Sequence, residues 1–207
     1  MFNISIKADV ARVERTLSAF AYKQMPYATA LALTGLAKIV QAGEQDAMDS
    51  VFDRPTPFTK KSVGVRAARK DTLEALVYVK DIAAAYLEPY ETGGTNKLNS
   101  RALLKPVNAP LNQYGNLSKN KLAQLKAKGN TFVGKIKGKS GEVINGVWQR
   151  TPAARGKPAG MKLLIRFGDA HPIKQRLDYR QRAEQLVRSN FNREMGKALA
   201  KAIASAK

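Results

Sequence analysis

Hydrophobic and polar positions change their period several times along this chain. Phe2, Ile4 and Ile6 alternate with Asn3, Ser5 and Lys7, the pattern of a short half-buried strand. Asp9 can cap a following helix with Val10, Val13, Leu17 and Phe20 on one face. Pro26 suits the first turn of a second helix, which runs through Leu31, Leu36, Ile39 and Val40 towards Met48. Its alanines favour helix and permit close packing, within the chain or against a neighbouring subunit. Pro55 and Pro57 cannot continue a helix. The run from Val51 to Ser62 is therefore expected as a stiff extended loop anchored by Phe52 and Phe58. Leu73, Ala75, Val77 and Val79 alternate with Glu74, Leu76, Tyr78 and Lys80, which predicts a strand over 73–80. Residues 62–69 fit a strand or a short helix equally well.

Tyr86 to Tyr90 leads into a turn at Glu91, Thr92, Gly93 and Gly94. From 95 to 140 the chain is rich in Asn, Lys, Gly and Pro and reads mainly as loop. One helix is expected inside it over 119–128, capped by Ser118 or Asn116 and ended by Gly129. Strands follow at 131–136, 142–150 and 161–167, the first two joined by a hairpin turn at Gly138–Gly141. A long helix over 175–206 places Val187, Phe191, Met195, Ala198 and Ala202 on one face. This order predicts an α+β fold: a small, mostly antiparallel sheet, long N-terminal helices, a C-terminal helix and a basic loop-rich insertion at about 95–140, all in one domain spanning 1–207.

Charge sharpens this picture. The 207 residues hold 36 Lys+Arg against 16 Asp+Glu, a net charge of +20. Residues 1–94 carry 12 basic and 11 acidic side chains, whereas residues 95–207 carry 24 and 5. No acid lies between Glu91 and Glu142. Such asymmetry points to an anionic partner. Lys119, Lys121, Lys126, Lys128, Lys135, Lys137 and Lys139 form an uncompensated run, and alternate strand positions put Lys135, Lys137 and Lys139 on one face, towards a lumen or groove. They would meet phosphates as point charges without reading sequence. Arg176, Arg180, Arg182, Arg188 and Arg193 on the last helix fit two readings equally: bidentate clamps for phosphates or carboxylates, or a face turned to solvent or an acidic neighbour.

Catalytic chemistry finds little to stand on. The chain has no cysteine and one histidine, His171, which precedes Pro172 in a loop context. The run from Gly134 to Ser140 lacks the spacing of a phosphate-binding loop. Asp169 and Asp178 are the sole candidates for a carboxylate pair in that region, and solvated or ion-paired acids are the simpler account. No enzyme activity, metal or cofactor is expected. No segment reaches the roughly 18 apolar residues of a membrane span, and residues 1–5 do not begin a secretory signal, so no membrane partner is expected and synthesis is assigned to a cytoplasm.

Several ordered pieces carry a family resemblance: the Ala/Leu helix ending in Phe52-Asp53-Arg54-Pro55-Thr56-Pro57-Phe58-Thr59, the strand 73–81, the turn with Gly93 and Gly94, the segment with Tyr114, Gly115 and Asn116, Trp148-Gln149-Arg150 on a late strand, and the basic last helix. In this order they resemble phage structural proteins of the minor tail protein Z and tail-completion (head–tail joining) type. The resemblance implies a virion protein at the head–tail junction or the top of the tail, built as a small α+β ring subunit. Its implied partners are further copies of itself (six favoured, twelve the alternative), neighbouring head-connector and tail proteins, and double-stranded DNA in the channel. On this view the 52–59 loop docks on a neighbour and Phe58 is buried, in its own subunit or at an interface. Composition alone supports a different class equally: a sequence-independent nucleic-acid-binding protein using its basic C-terminal half.

Overall fold

The computed structural model describes residues 10–96, 102–138, 140–154, 156 and 158–205. The expected strand at 2–7, the Asp9 cap and Lys139 lie outside these. In chain order the elements are α1 (Val10–Val51), α2 (Pro57–Lys60), β1 (Val63–Arg66), β2 (Leu76–Val79), α3 (Asp81–Thr92) and β3 (Gly94–Thr95). Then follow β4 (Leu103–Pro106), α4 (Lys121–Lys126), β5 (Thr131–Lys137), β6 (Val143–Thr151), β7 (Gly160–Gly168), β8 (Pro172–Ile173) and α5 (Tyr179–Ser205). The fold is α+β, and every strand pair is antiparallel among the described residues.

Two compact units emerge where the sequence suggested one domain with an insertion. One comprises 1–51, 57–83 and 177–207; the other comprises 52–56 and 84–176. The first unit is organised by α1 and α5. The buried positions of α1 recur every four residues: Ala28, Ala32, Leu36, Val40, Glu44 and Met48. On α5 the matching row is Arg182, Leu186, Asn190, Glu194, Ala198 and Ala202. Ala28 and Ala32 cluster with Ala198 and Ala202 at one end. Gly35 lies under Glu194 and Gly43 under Leu186 further along. At the other end Arg182 Nη1 meets the buried Glu44 Oε2 at 2.7 Å, and Arg182 Nη2 donates to the Leu177 carbonyl. Rows of i±4 side chains are a natural ridge for helix packing, and alanine and glycine let the two backbones approach closely.

The β1–β2 hairpin rests against α1. Its inner residues Val63, Val65, Val77 and Val79 face each other in register. Gln41 Nε2 donates to the Val63 carbonyl, and the Ala68 N–H donates to Thr34 Oγ1. These bonds satisfy backbone groups that a lone two-stranded sheet would leave to water.

Three readings change here. Pro26 does not begin a helix; it sits inside α1, where it leaves the Tyr22 carbonyl without its usual i+4 donor. Both flanking segments favour helix, so the chain keeps one continuous helix despite a cost of about 3 kcal/mol. Leu17, expected on a core face, is 62% exposed. On α5 the buried row follows the i±4 ridge, so Val187 and Phe191 lie on the exposed side while Ala198 and Ala202 are buried as expected. The ridge wins because Arg182 has a buried acid to meet.

In the second unit, β4-β7-β6-β5 form a four-stranded sheet. Val147, Leu164 and Ile165 pack with Ala109 and Leu125, flanked by Leu104, Leu117, Leu122 and Phe167. A bulge near Val147/Trp148 turns both Leu164 and Ile165 into this core, and the Leu164 carbonyl receives the N–H groups of Val107, Asn108 and Ala109. The segment 95–140 therefore holds a strand, β4, as well as its helix. That helix, α4, is shorter than expected, and its N-cap is Asn120 with no side-chain cap bond. Tyr86–Tyr90 belongs to a helix, α3, which tolerates Pro89.

The alanine ridge makes a direct prediction. Ala32→Leu overfills the α1–α5 seam and should lower stability by about 1–3 kcal/mol in urea unfolding. Glu194 adds a pH term: its hydrogen bond from Lys197, helped by Arg193, holds the carboxyl below the usual range. A carboxyl lowered by folding stabilises the fold above its unfolded pKa and loses that contribution as pH falls through the lowered value. Lys197→Ala should therefore reduce the acid-limb dependence of the melting temperature.

Candidate polyanion interface

The β5–β6 hairpin forms because its turn is local. The Gly138 N–H donates to the Glu142 carbonyl at 2.7 Å, the Gly141 N–H donates to the Gly138 carbonyl, and Gly141 takes a φ of 84°. That turn sets the register Lys135↔Asn145 and Lys137↔Val143. Lys135 and Lys137 are both exposed, on the face that carries Val133 and Val147. α4 lies on this same face, since its Leu122 and Leu125 pack around Val147. The buried Thr131 hydroxyl sits between the carbonyls of Leu125 and Lys128 and ties the end of α4 to the start of β5. Lys126 and Lys128 are exposed at and just after the end of α4, near the start of the strand that bears Lys135 and Lys137. Lys119 is exposed just before α4, and Lys121 is half-buried at its first turn. The unit carries 18 basic and five acidic residues, net +13. Edge-strand lysines also discourage strand-to-strand association on the outer edge of β5.

Trp148, Gln149 and Arg150 divide between the faces. Phe132 pairs with Trp148 in register, so Trp148 and Arg150 lie opposite the lysines. The Trp148 indole N–H donates to the Gly134 carbonyl at 3.2 Å, and the Arg150 guanidinium lies 5.0 Å over the Phe132 ring. Gly146 has no room for a side chain, because a Cβ there would strike the Ile165 carbonyl. Gln149 is half-buried on the lysine side.

The 52–59 loop is shared between the two units: Phe52, Asp53, Arg54, Pro55 and Thr56 fall in the second, and Pro57, Phe58 and Thr59 in the first. Phe52 meets the Tyr90 ring edge-on at 5.0 Å. Arg54, at φ 49°, ion-pairs with its neighbour Asp53 and reaches Gly115, its Nη2 3.2 Å from where a Cβ would stand. Gly115 itself needs φ 76° in a turn built by Asn112, whose Oδ1 accepts the N–H groups of Tyr114 and Asn116 at 3.0 Å each. Gly93 and Gly94 take positive φ and lead into β3, which pairs with β8. Phe58 is 59% exposed, so it is not buried within its own chain. α2 is too short to fold it inward.

No group of three metal-ligating side chains occurs among the described residues. His171 is exposed, its N–H donating to Asn96 Oδ1. Two open clefts stand out among the described residues. One, of about 630 Å³, mixes Lys105 and Arg166 with Asp169 and Asn145, and Arg166 is already paired with Glu142. The other, of about 500 Å³, mixes Arg66 and Arg69 with Glu74. Neither gathers charge of one sign. The buried Glu44–Arg182 pair escaped sequence reasoning because its members are 138 residues apart. No helix is long and apolar enough to cross a membrane among the described residues. No family model, curated protein or solved structure matches the chain.

Because Phe58 is exposed, Phe58→Ala should shift stability by less than about 0.5 kcal/mol, read as an unchanged melting curve of the isolated chain.

Proposed function

We propose that the chain is a structural subunit of a phage virion: a tail-completion or neck ring component at the head–tail junction or the top of the tail. In this reading it lays the lysine face of its sheet against genome DNA or an acidic partner ring. It works by surface contact and performs no reaction, and its place in the cell is the assembled particle. The observation that carries the proposal is Lys135 and Lys137 exposed on one face of β5, with Lys126 and Lys128 exposed at and just after the end of the helix that packs on that face, and with none of the four in an ion pair to a described acid. Point charges on a rigid sheet edge suit a repeating phosphate backbone or an acidic wall, and they require no sequence readout. A second support is that the pieces carrying the resemblance meet in space, Phe52 on Tyr90 and Arg54 on Gly115.

Fluorescence anisotropy with a labelled duplex tests this reading. Wild-type chain should bind weakly, in the range of about 1–100 μM near physiological salt. The double variant Lys135→Glu/Lys137→Glu should bind at least about tenfold more weakly, with a log–log salt slope lower by about 1.8, at roughly 0.9 per lost phosphate contact. The matching Lys→Arg variant should retain binding. Unchanged binding by the Glu variant would contradict the assigned face. Nanomolar binding by a monomer would favour the nucleic-acid-binding class instead.

A further inference from the structure

The first turns of α1 form a helical arm with an apolar surface left in solvent. Leu17 is 62% exposed, Tyr22 89% and Met25 40%. From Val10 to Met25 the helix is about 24 Å long at 1.5 Å per residue. A helix of this length has marginal stability alone in water, so a surface that covers it stabilises it directly.

A second uncovered apolar surface lies in the same unit. On β2, Leu76 and Tyr78 point away from α1, on the face opposite the inner valines. The Tyr78 ring lies across Gly64, where a Cβ would stand 2.6 Å from the ring. Leu73 precedes this strand and Ile82 follows it, 49% and 75% exposed. A two-stranded hairpin has only one core face here, and this is its other face.

The two surfaces are complementary in charge. Residues 10–25 contain three basic side chains and one acidic; residues 71–82 contain three acidic and one basic. In a chain of net +20, the stretch holding Asp71, Glu74 and Asp81 is a local reversal of sign. All three acids are exposed, as are Arg15 and Lys23 on the arm.

From this match we infer that the α1 arm of one copy docks on the outer face of the β1–β2 hairpin of a second copy. Leu17, Tyr22 and Met25 would cover Leu76, Tyr78 and Ile82, with Arg15 and Lys23 facing the acids around them. The contact joins two different patches, so it is head-to-tail and propagates to a ring or a filament rather than stopping at a symmetric dimer. It rests on the reading of the chain as a self-assembling subunit and names the surfaces that reading needs.

Two variants of the full chain separate the halves of the junction. Leu17→Glu/Tyr22→Glu disables the arm; Leu76→Glu/Tyr78→Glu disables the hairpin face. All four positions are exposed, and far-ultraviolet circular dichroism checks that each variant folds. In sedimentation velocity, wild-type chain at about 100 μM, a concentration that populates contacts of micromolar to about 100 μM dissociation constant, should form multimers. Each variant alone should be monomeric. An equimolar mixture should form a dimer, because one intact arm and one intact face remain between the two chains. A mixture that stays monomeric, a folded variant that multimerises like wild type, or a wild-type chain that is monomeric throughout would each overturn the inference. Duplex binding that still depends on Lys135 and Lys137 in the monomeric variants would leave the polyanion reading standing even then.

Discussion

The close antiparallel pairing of α1 with α5 is the interaction on which the rest of the first unit depends. It joins residues 28–48 to residues 182–202, so every other described element except the start of α1 lies within one long loop that this pairing closes. Closing a loop of that length costs entropy, though the cost grows only slowly with length. It is offset by a ridge of small side chains that brings two backbones together and by one buried ion pair, Arg182 with Glu44. The ion pair has a consequence for partner choice: Glu44 is 1% exposed, so removing Arg182 would take its ion pair away from a buried charge. The hairpin then uses α1 as its floor, through Gln41 and Thr34.

Within that frame the second unit is free to specialise. Its sheet packs one face on a small core of aliphatic residues and lets the far end of the same face run into solvent. Lysine occupies that end. A net charge of +13 on one unit repels further copies of itself at that face, while an anionic surface relieves the repulsion. The first unit is nearer to neutrality, and its exposed apolar side chains include Leu17, Tyr22, Leu76 and Ile82.

Much of the fold was legible where the signal is local. β5, β6 and β7 follow from period-two alternation and a glycine turn, and the antiparallel sheet follows from them. The exposure of Lys126, Lys128, Lys135 and Lys137 also follows from composition. Local rules failed where two options share one signature. Proline is equally at home in a first helical turn and, at a cost, in an interior stabilised on both sides, so Pro26 looked like a boundary. The α5 face was misread because its inward row includes the half-buried Arg182, Asn190 and Glu194, whose placement makes sense only beside residues such as Glu44 and Gly35, far away in sequence. Phe58 looked like an anchor by its prolines, yet it is Phe52 that finds a ring, Tyr90. The gathering of α4 with β5 on one face rests on Thr131 and on the packing of Leu122 and Leu125 with Val147, neither of which has a sequence signature of its own.

The central claim is that this chain assembles with itself first and meets a polyanion as an assembly. Its most direct test is the solution mass by light scattering at low and at high salt, with and without double-stranded DNA. The account predicts a multimer without DNA whose mass resists salt, since apolar surface joins the copies. A monomer that gains mass only with DNA, and only at low salt, would contradict it.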